Sequence, residues 1–561
     1  MKKTKKTNIK FHIIAIISII IFCFAVSPRA LQNDTFYTIK IGEHIIQNKS
    51  IDMKDPFSWH EDLPYTYPHW AYDVFIYLVY NIGGMEGIYM STIFFSCILG
   101  LAIYYTQCKL SKNKLTSFLL TIGVMCLLRT FIAARAQLVT FILFVFTIYF
   151  IEKFLQTKKK RYAIGLIIIP TIIANIHLAV WPFFFILFLP YIAEYLLSIV
   201  TNFSMWIKLN IKLKKHKIKT LNDDLEEQDI EQHEIEKIKA KQEKVKSKIE
   251  KLEVKCKEIQ EKQENYRKAP YRLVIEKNNN VKYLILIMII CAFTGLLTPL
   301  GDTPYTYLYN TMQGNTTKNI NEHLPMVLIE SKYMLCVIGM FLAILIFTDT
   351  KITLRDLLML GGLIILTLMS KRQFSMFVLI CSYILNRLIC QLFNKYDPKG
   401  TEKMIKYMIK VIGIIATLAI IGLFSWILMK DKIHEDIVNP ESYPVEAAKF
   451  IKENLDVNNI RLYNEYNYGS YLLYQGIPVF IDSRADLYAP EFNGGRDIFT
   501  DFINISSIGT YYENKFKEYK ITHLIMYKDA KLNMFISRNK DYKELYKDKK
   551  FVVYERLVKD D

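Results

Sequence analysis

Long apolar stretches punctuate this chain, at residues 11–30, 85–106, 115–133, 137–155, 162–179, 182–200, 281–299, 333–348, 355–371, 373–393 and 406–429. A helix needs roughly 20 apolar residues to cross about 30 Å of hydrocarbon, so the pattern predicts about eleven membrane-spanning helices. Two polar stretches interrupt it. Residues 204–270 are dense in Lys, Glu and Gln and almost free of Gly and Pro. From Ile235 onward their apolar residues fall at heptad spacing, through Ile238, Val245, Ile249, Leu252, Cys256, Ile259 and Tyr266, with Gln242 and Gln263 in the same seam. A second helix opening at Asn222-Asp223-Asp224 would make this a helical hairpin. Its plainer reading is an insertion that extends two membrane helices; its functional reading is a coiled coil that docks a partner.

The second polar stretch is the tail, 431–561. Pro444 stands near the first turn of a helix beginning at Tyr443-Pro444-Val445. Short β-rich runs follow at Ile460–Tyr463, Pro478–Ile481, Ile521–Tyr527 and Phe551–Tyr554, which predicts a small α/β domain. The expected organisation is a membrane half over 1–203 with an outer loop at 31–84, a cytoplasmic coiled-coil insertion over 204–270, a second membrane half over 271–430 with an outer loop at 300–332, and an extracytoplasmic α/β domain over 431–561.

Loop charge sets the orientation. Lys2, Lys3, Lys5 and Lys6 precede the first stretch, and basic clusters recur at Lys109–Lys114, Lys158–Arg161, the insertion, Lys351 and Lys395–Lys403. The positive-inside rule therefore places the N-terminus and the insertion in the cytoplasm, and 31–84, 300–332 and the tail outside. A signal peptide cleaved near Ala30 would leave the same loop outside. The net charge of +18 is loop charge of this kind, not a nucleic-acid-binding surface. With 52% hydrophobic residues and a mean hydropathy of +0.16, the chain is too apolar for a soluble protein of its charge content. The nine cysteines avoid the expected outer segments, so no disulfide framework holds those segments, and no Cys/His spacing predicts zinc.

Candidate chemistry gathers on the outer side. Asp34 follows the first apolar stretch, and a carboxylate beside the bilayer is costly unless it serves a purpose; the bland alternative is that it caps the next helix. Asp55 and His69 stand in the same loop. Arg129 and Arg135 bracket the next outer turn, and Arg372 follows Lys371 at a later one, against the charge rule. Arginine suits phosphate because its planar fork makes paired, charge-assisted hydrogen bonds, although arginines at helix ends also snorkel to headgroups. His177 and Glu322 reach the same level, and Asp482 with Arg484 follows a predicted strand, where ligands of open sheets collect; the equal alternative is an Asp–Arg pair that only locks the loop.

These residues carry a resemblance. Asn33-Asp34-Thr35-Phe36, Asp55-Pro56-Phe57-Ser58-Trp59 and the segment around Trp70 resemble the first external loop of bacterial GT-C-type glycosyltransferases, polytopic enzymes that use polyprenyl-phosphate sugars. Arg135-Ala136-Gln137 is similar to the group's Arg-Pro-Gln, Asn175-Ile176-His177 to its Asn-Leu-His, Glu322 to its external-loop Glu and Arg372 to its late Arg; Asn464–Leu472 and Ile481–Arg484 in the tail are similar as well. Ala136 stands where the pattern has Pro, and Leu178 where a Gly usually follows the His. The resemblance covers nearly the whole chain except 204–270.

The resemblance implies a multi-pass glycosyltransferase of the bacterial plasma membrane, transferring a hexosyl or pentosyl group from a polyprenyl-phosphate donor to an envelope glycan, lipid or protein acceptor. Asp34 is then the base, Arg135 and Arg372 hold phosphate, and Asp55, His69, His177 and Glu322 line the cavity. Asp34, Asp55 and Glu322 offer oxygen ligands suited to Mg²⁺ or Mn²⁺, with no spacing that demands either. Membrane lipids, and a cytoplasmic helical partner for the seam, complete the expected partners. A lipid-linked glycan transporter should show repeats and broken helices in matched halves, which this sequence lacks; a non-catalytic assembly protein would tolerate loss of Asp34 or Arg372.

Overall fold

The computed structural model describes residues 2–200, 203–223, 232–268, 272–314, 316–509 and 511–557. All eleven apolar stretches fold as helices. Among the described residues seven helical segments are long and apolar enough to cross a membrane: Ile9–Val26, Trp70–Ser111, Lys114–Phe131, Ala136–Thr157, Leu178–Val200, Lys371–Tyr396 and Val411–Met429. Val281–Leu296 and Lys332–Phe347 are shorter apolar helices, and Lys160–Ile176 and Leu354–Met369 complete the bundle. The chain is a multi-pass membrane protein.

Local signals place the ends of these helices. Asn113 caps Lys114–Leu128 by accepting from the Thr116 amide, and Thr353 caps Leu354–Met369 through Asp356. The helix Trp70–Ser111 is broken at Gly84, whose φ of 60° and ψ of −151° suit a residue without Cβ. Residues 70–83 thus form an arm that leans on the helix Asn33–Asn48 before the membrane stretch begins.

Inside the bundle the helices pack around Phe22, Phe141, Phe144, Phe184 and Phe377, and a polar chain ties them together. Gln107 donates to Ser382 (3.0 Å), Asn386 donates to Gln107 (3.0 Å), and Thr116 donates to Asn386 (2.8 Å). Without water, such groups must satisfy one another. At the far end, Arg387 pairs with Asp356 and lies 3.2 Å from Glu152, while Arg355 lies 3.3 Å from Glu194 and 3.0 Å from Glu276. Leu155, near the end of Ala136–Thr157, accepts through its carbonyl from Asn280 (2.9 Å), just after the insertion. The insertion therefore leaves the bundle roughly 33 Å from Arg135, at the opposite end of that 22-residue helix.

The insertion itself is two helices, Phe203–Asp223 and Gln232–Lys268, packed side by side. Asn222-Asp223 ends the first helix rather than starting the second, contrary to the sequence expectation; Asp224 lies outside the described residues. The seam residues Val245, Leu252 and Ile259 are half-buried, Ile249 and Cys256 are buried, and Lys215 reaches Glu253 across the pair (3.1 Å). The side chains of Gln263 and Tyr266 lie outside the described residues.

A second hydrophobic core joins the loop after the first helix to the tail. The tail carries a four-stranded sheet, in the order Leu462–Tyr463, His523–Tyr527, Phe551–Arg556, Tyr542–Lys547, parallel in the first pair and antiparallel in the others. Pro478–Ile481, expected as a strand, is not one. The Asn464 side chain occupies its backbone instead, accepting from the Phe480 amide (2.8 Å) and donating to the Ile481 carbonyl (2.7 Å). The fourth strand, Tyr542–Lys547, was not expected, because its polar, half-exposed residues carry little strand signal. Gly469 permits the close approach here: a Cβ would sit 2.0 Å from the Ile481 carbonyl oxygen.

The loop and the tail interlock. Phe36 packs edge-on against Tyr443 and Tyr471, Trp59 donates to the Leu462 carbonyl (3.0 Å), the His60 ring lies 2.8 Å from the Phe480 carbonyl, and Ser58 bridges Val479.

Candidate active site

Where the bundle meets this second core lies a cavity of about 170 Å³ lined by Asp34, His69, Arg135, His177, Glu322 and Arg372. Local structure explains how each arrives. Asp34 occupies the first turn of Asn33–Asn48, where the helix dipole favours an anion. The N-cap is Gln32 and makes no side-chain cap, so Asp34 does not serve as the cap residue. Its carboxylate instead accepts from the Arg135 guanidinium. Arg135 is the extended N-cap of Ala136–Thr157, and Ala136, where the family pattern has Pro, is the first helical residue, a position at which either fits.

Glu322 approaches the same Nη2 of Arg135 that Asp34 holds, 3.6 Å away. It arrives with Arg372: the Arg372 amide donates to the Glu322 carbonyl (2.9 Å) and the Lys371 amide to the Leu324 carbonyl (3.0 Å), which staples the two loops together. His177 ends Lys160–Ile176 and packs beside His69, their rings 6.3 Å apart, because the next amide, Leu178, donates to the Pro68 carbonyl (2.9 Å). The His177 Nδ1 lies 3.0 Å from the Thr140 hydroxyl.

Sequence reading missed several residues. Asp73, fully buried, lies 3.3 Å from the His69 Nδ1, and Tyr37 stacks on the opposite side of that imidazole with its hydroxyl 3.5 Å from Nε2. The i, i+4 spacing of His69 and Asp73 at a helix start was a legible signal. Asp486 and Tyr307, also in the wall, are hydrogen-bonded to each other. Burial raises the pKa of Asp486 above the ordinary carboxylate value. His323, beside Glu322, is pushed down to about 4, first by burial and then by Arg372, so its imidazole is neutral near pH 7.

One expected liner, Asp55, stands elsewhere, and the Asp482–Arg484 pair of the tail locks its loop. Asp55 is not in the cavity wall; it is buried beneath Arg484, 2.6 Å from its Nη1, and accepts from the Ser58 amide (2.9 Å). Burial opposes its charge, but Arg484 and Ser58 outweigh that and hold its pKa below the ordinary value. Asp482 likewise takes Arg484, at 2.7 and 2.9 Å, rather than facing the cavity. Arg484 itself reaches the cavity wall, its guanidinium 5.0 Å from the Tyr65 ring centre. Two carboxylates thus hold one arginine that ties the first loop to the tail.

A divalent cation would need Asp34, Asp55 and Glu322 together. They are not: Asp55 is committed to Arg484, Arg135 lies between the other two, and no cluster of three metal-ligating side chains occurs among the described residues. The donor set as arranged does not fit a cation.

Behind Arg135 and Arg372 lies a second cavity of about 280 Å³, which adds Gln32, Asn321 and Lys371. Thr130, Phe131 and Lys371 are shared with a third, of about 380 Å³, walled by Leu127, Met326, Val327 and Phe374. Arg129 belongs to this third cavity, its guanidinium 3.5 Å from the Tyr333 hydroxyl, and not to the first. The third cavity is mostly apolar but also carries Arg129, Glu330 and Lys371, and the second sets Glu322 beside Arg135, Lys371 and Arg372.

No family model and no curated protein sequence matches this chain. Among solved structures it is similar to the oligosaccharyltransferase of Archaeoglobus fulgidus, crystallised with a tethered acceptor peptide containing the NVT sequon: the TM-score is 0.51 at 10% identity, covering 92% of this chain and 69% of the archaeal one. That likeness establishes the fold, the GT-C fold that the sequence resemblance implied.

Proposed function

We propose that this protein is a membrane glycosyltransferase that moves a sugar from a polyprenyl-phosphate donor to a hydroxyl of an envelope acceptor. The observation that carries this reading is the Asp34–Arg135 pair, set in a cavity that shares Arg135 and Arg372 with a lysine- and arginine-lined neighbour, which in turn shares Lys371 with a mostly apolar one. A lipid phosphate matches that arrangement: chain against the apolar wall, phosphate among Lys371, Arg372 and Arg135, sugar beside Asp34. The fold shared with an enzyme that acts on an acceptor peptide supports glycosyl transfer as the class.

The geometry supplies a route for the chemistry. Bound phosphate competes with Asp34 for the Arg135 guanidinium, so donor binding frees the carboxylate. Asp34 then takes the proton of the acceptor hydroxyl, whose oxygen bonds to the anomeric carbon as the bond to the phosphate oxygen breaks. The electron pair leaves on the lipid phosphate, where Arg135 and Arg372 stabilise it. His69, oriented by Asp73 and Tyr37, would position the acceptor across the cavity.

The proposed setting is a bacterial plasma membrane crossed about eleven times, with the N-terminus and insertion cytoplasmic and the Asp34 cavity and tail outside. A cysteine introduced at Ser470 should label from outside and one at Ser247 only after permeabilisation; the reverse would overturn this orientation. The function is tested with the purified full-length protein, synthetic polyprenyl-phosphate hexoses and pentoses, and envelope extract as acceptor, reading transfer by mass spectrometry. Sugar transfer that Asp34→Asn abolishes supports the reading. Transfer by neither protein, or equally by both, overturns it.

A further inference from the structure

At the end of the bundle remote from Asp34 lies the roomiest of these cavities, about 630 Å³, between the helix Lys2–Val26 and the last turns of Trp70–Ser111. Its walls are Ile16, Leu101 and Tyr104, and its rim is His12, Lys109, Lys112 and Lys114. Ile16 is 38% exposed and Tyr105 48% exposed, so the cleft opens sideways, toward the position that lipid occupies around such a bundle. The left-handed turn at Lys112 (φ 59°), closed by its amide on the Cys108 carbonyl (3.1 Å), brings the lysines on either side of it to one rim.

The rim has no counter-charge. Among the described residues no carboxylate pairs with Lys109, Lys112 or Lys114, whereas Lys395 has Asp349, Lys215 has Glu253 and Lys515 has Asp501. Lys109 instead sits over the Tyr105 ring (5.5 Å), and His12 meets the Tyr104 hydroxyl (2.8 Å). Three lysines lining one rim with no paired carboxylate among the described residues, above an apolar slot open to the bilayer, are complementary to one kind of molecule.

We propose that this cleft binds an anionic phospholipid of the surrounding leaflet, with its phosphate at Lys109, Lys112 and Lys114 and the start of one acyl chain against Ile16, Leu101 and Tyr104. Basic pockets between membrane helices hold anionic headgroups in this way. The site is independent of the sugar-transfer reading, since it shares no residue with the Asp34 cavity. It is separate from the donor site, because the helix that begins beside His69 ends at this rim.

Native mass spectrometry of the full-length protein, titrated with phosphatidylglycerol or phosphatidylcholine, tests the proposal. Wild type should retain one phosphatidylglycerol in preference to phosphatidylcholine. The triple variant Lys109→Gln, Lys112→Gln, Lys114→Gln should bind it at least about tenfold more weakly. The matched control Lys158→Gln, Lys159→Gln, Lys160→Gln should bind as wild type does. Ile16→Trp, which fills the slot and leaves every lysine in place, should also weaken binding. Equal retention of phosphatidylcholine, equal loss in the control triple, or full binding by both the lysine triple and Ile16→Trp would overturn it. So would displacement of phosphatidylglycerol from wild type by an equimolar polyprenyl phosphate, which would assign the cleft to a different lipid.

Discussion

Arg135 donates to the carboxylate of Asp34 across 101 residues of chain, from the start of one membrane helix to the first turn of the helix that follows another. The pairing sets one residue's availability against the other's. While the guanidinium holds the carboxylate, neither is free for another partner; in the proposed function an arriving phosphate would separate them.

Asp34→Asn keeps the shape and the helix-start position but cannot take a proton. Turnover should fall by roughly two to four orders of magnitude. Because the neutral amide releases Arg135, affinity for a polyprenyl phosphate should rise at the same time. Isothermal binding and transfer assays on the same preparation read the two effects. Weaker lipid binding in Asp34→Asn would show that Arg135 does not exchange between carboxylate and phosphate.

Arg135→Lys and Arg372→Lys each keep the charge and lose the planar fork. Donor affinity should weaken by about tenfold for either, the worth of one good charge-assisted bond. Arginines that merely snorkel to headgroups would leave the apparent donor affinity unchanged in both variants.

Arg484→Met should loosen the first loop from the tail. It strands Asp55 and Asp482, both fully buried, and breaking a buried pair costs about 3–5 kcal/mol. Limited proteolysis should then cut between residues 49 and 69, and adding Asp55→Asn and Asp482→Asn should restore part of the melting temperature. A melting curve like wild type for Arg484→Met would remove the clamp.

Glu465 caps the helix Tyr466–Tyr474 and accepts from the Tyr527 amide (3.2 Å), and burial pushes its pKa up to about 7 from 4.5. A raised pKa means that the folded state binds the proton more tightly than the unfolded state does. The stabilisation is fully present below about pH 4.5 and is lost as pH rises through about 7. Melting temperature should therefore fall as pH rises from about 4.5 to about 7, and Glu465→Gln should flatten that fall. A slope unchanged in Glu465→Gln would assign it to other groups.

Replacing 215–268 with a short linker should leave sugar transfer intact. The two insertion helices bury their seam against each other and leave the bundle at the end remote from the cavity. A variant that inserts stably but transfers no sugar would make the insertion part of the machinery.

The sequence by itself located the apolar helices, seven of which among the described residues are long enough to cross a membrane, because crossing a bilayer is a demand on composition over one short stretch and leaves a local record. It also nominated Asp34, His69, Arg135, His177, Glu322 and Arg372, since charge beside apolar stretches stands out without knowledge of partners. Only the tertiary structure decided what these groups meet. Arg484 lies 429 residues from Asp55, and His60 lies 420 from the Phe480 carbonyl; no local pattern encodes such distances. Asp55 looked like a cavity carboxylate and proved to be a buried counter-ion, because its partner comes from the tail. Pro478–Ile481 read as a strand and is held by one asparagine side chain, because a backbone needs hydrogen-bond partners and takes whichever the fold brings near.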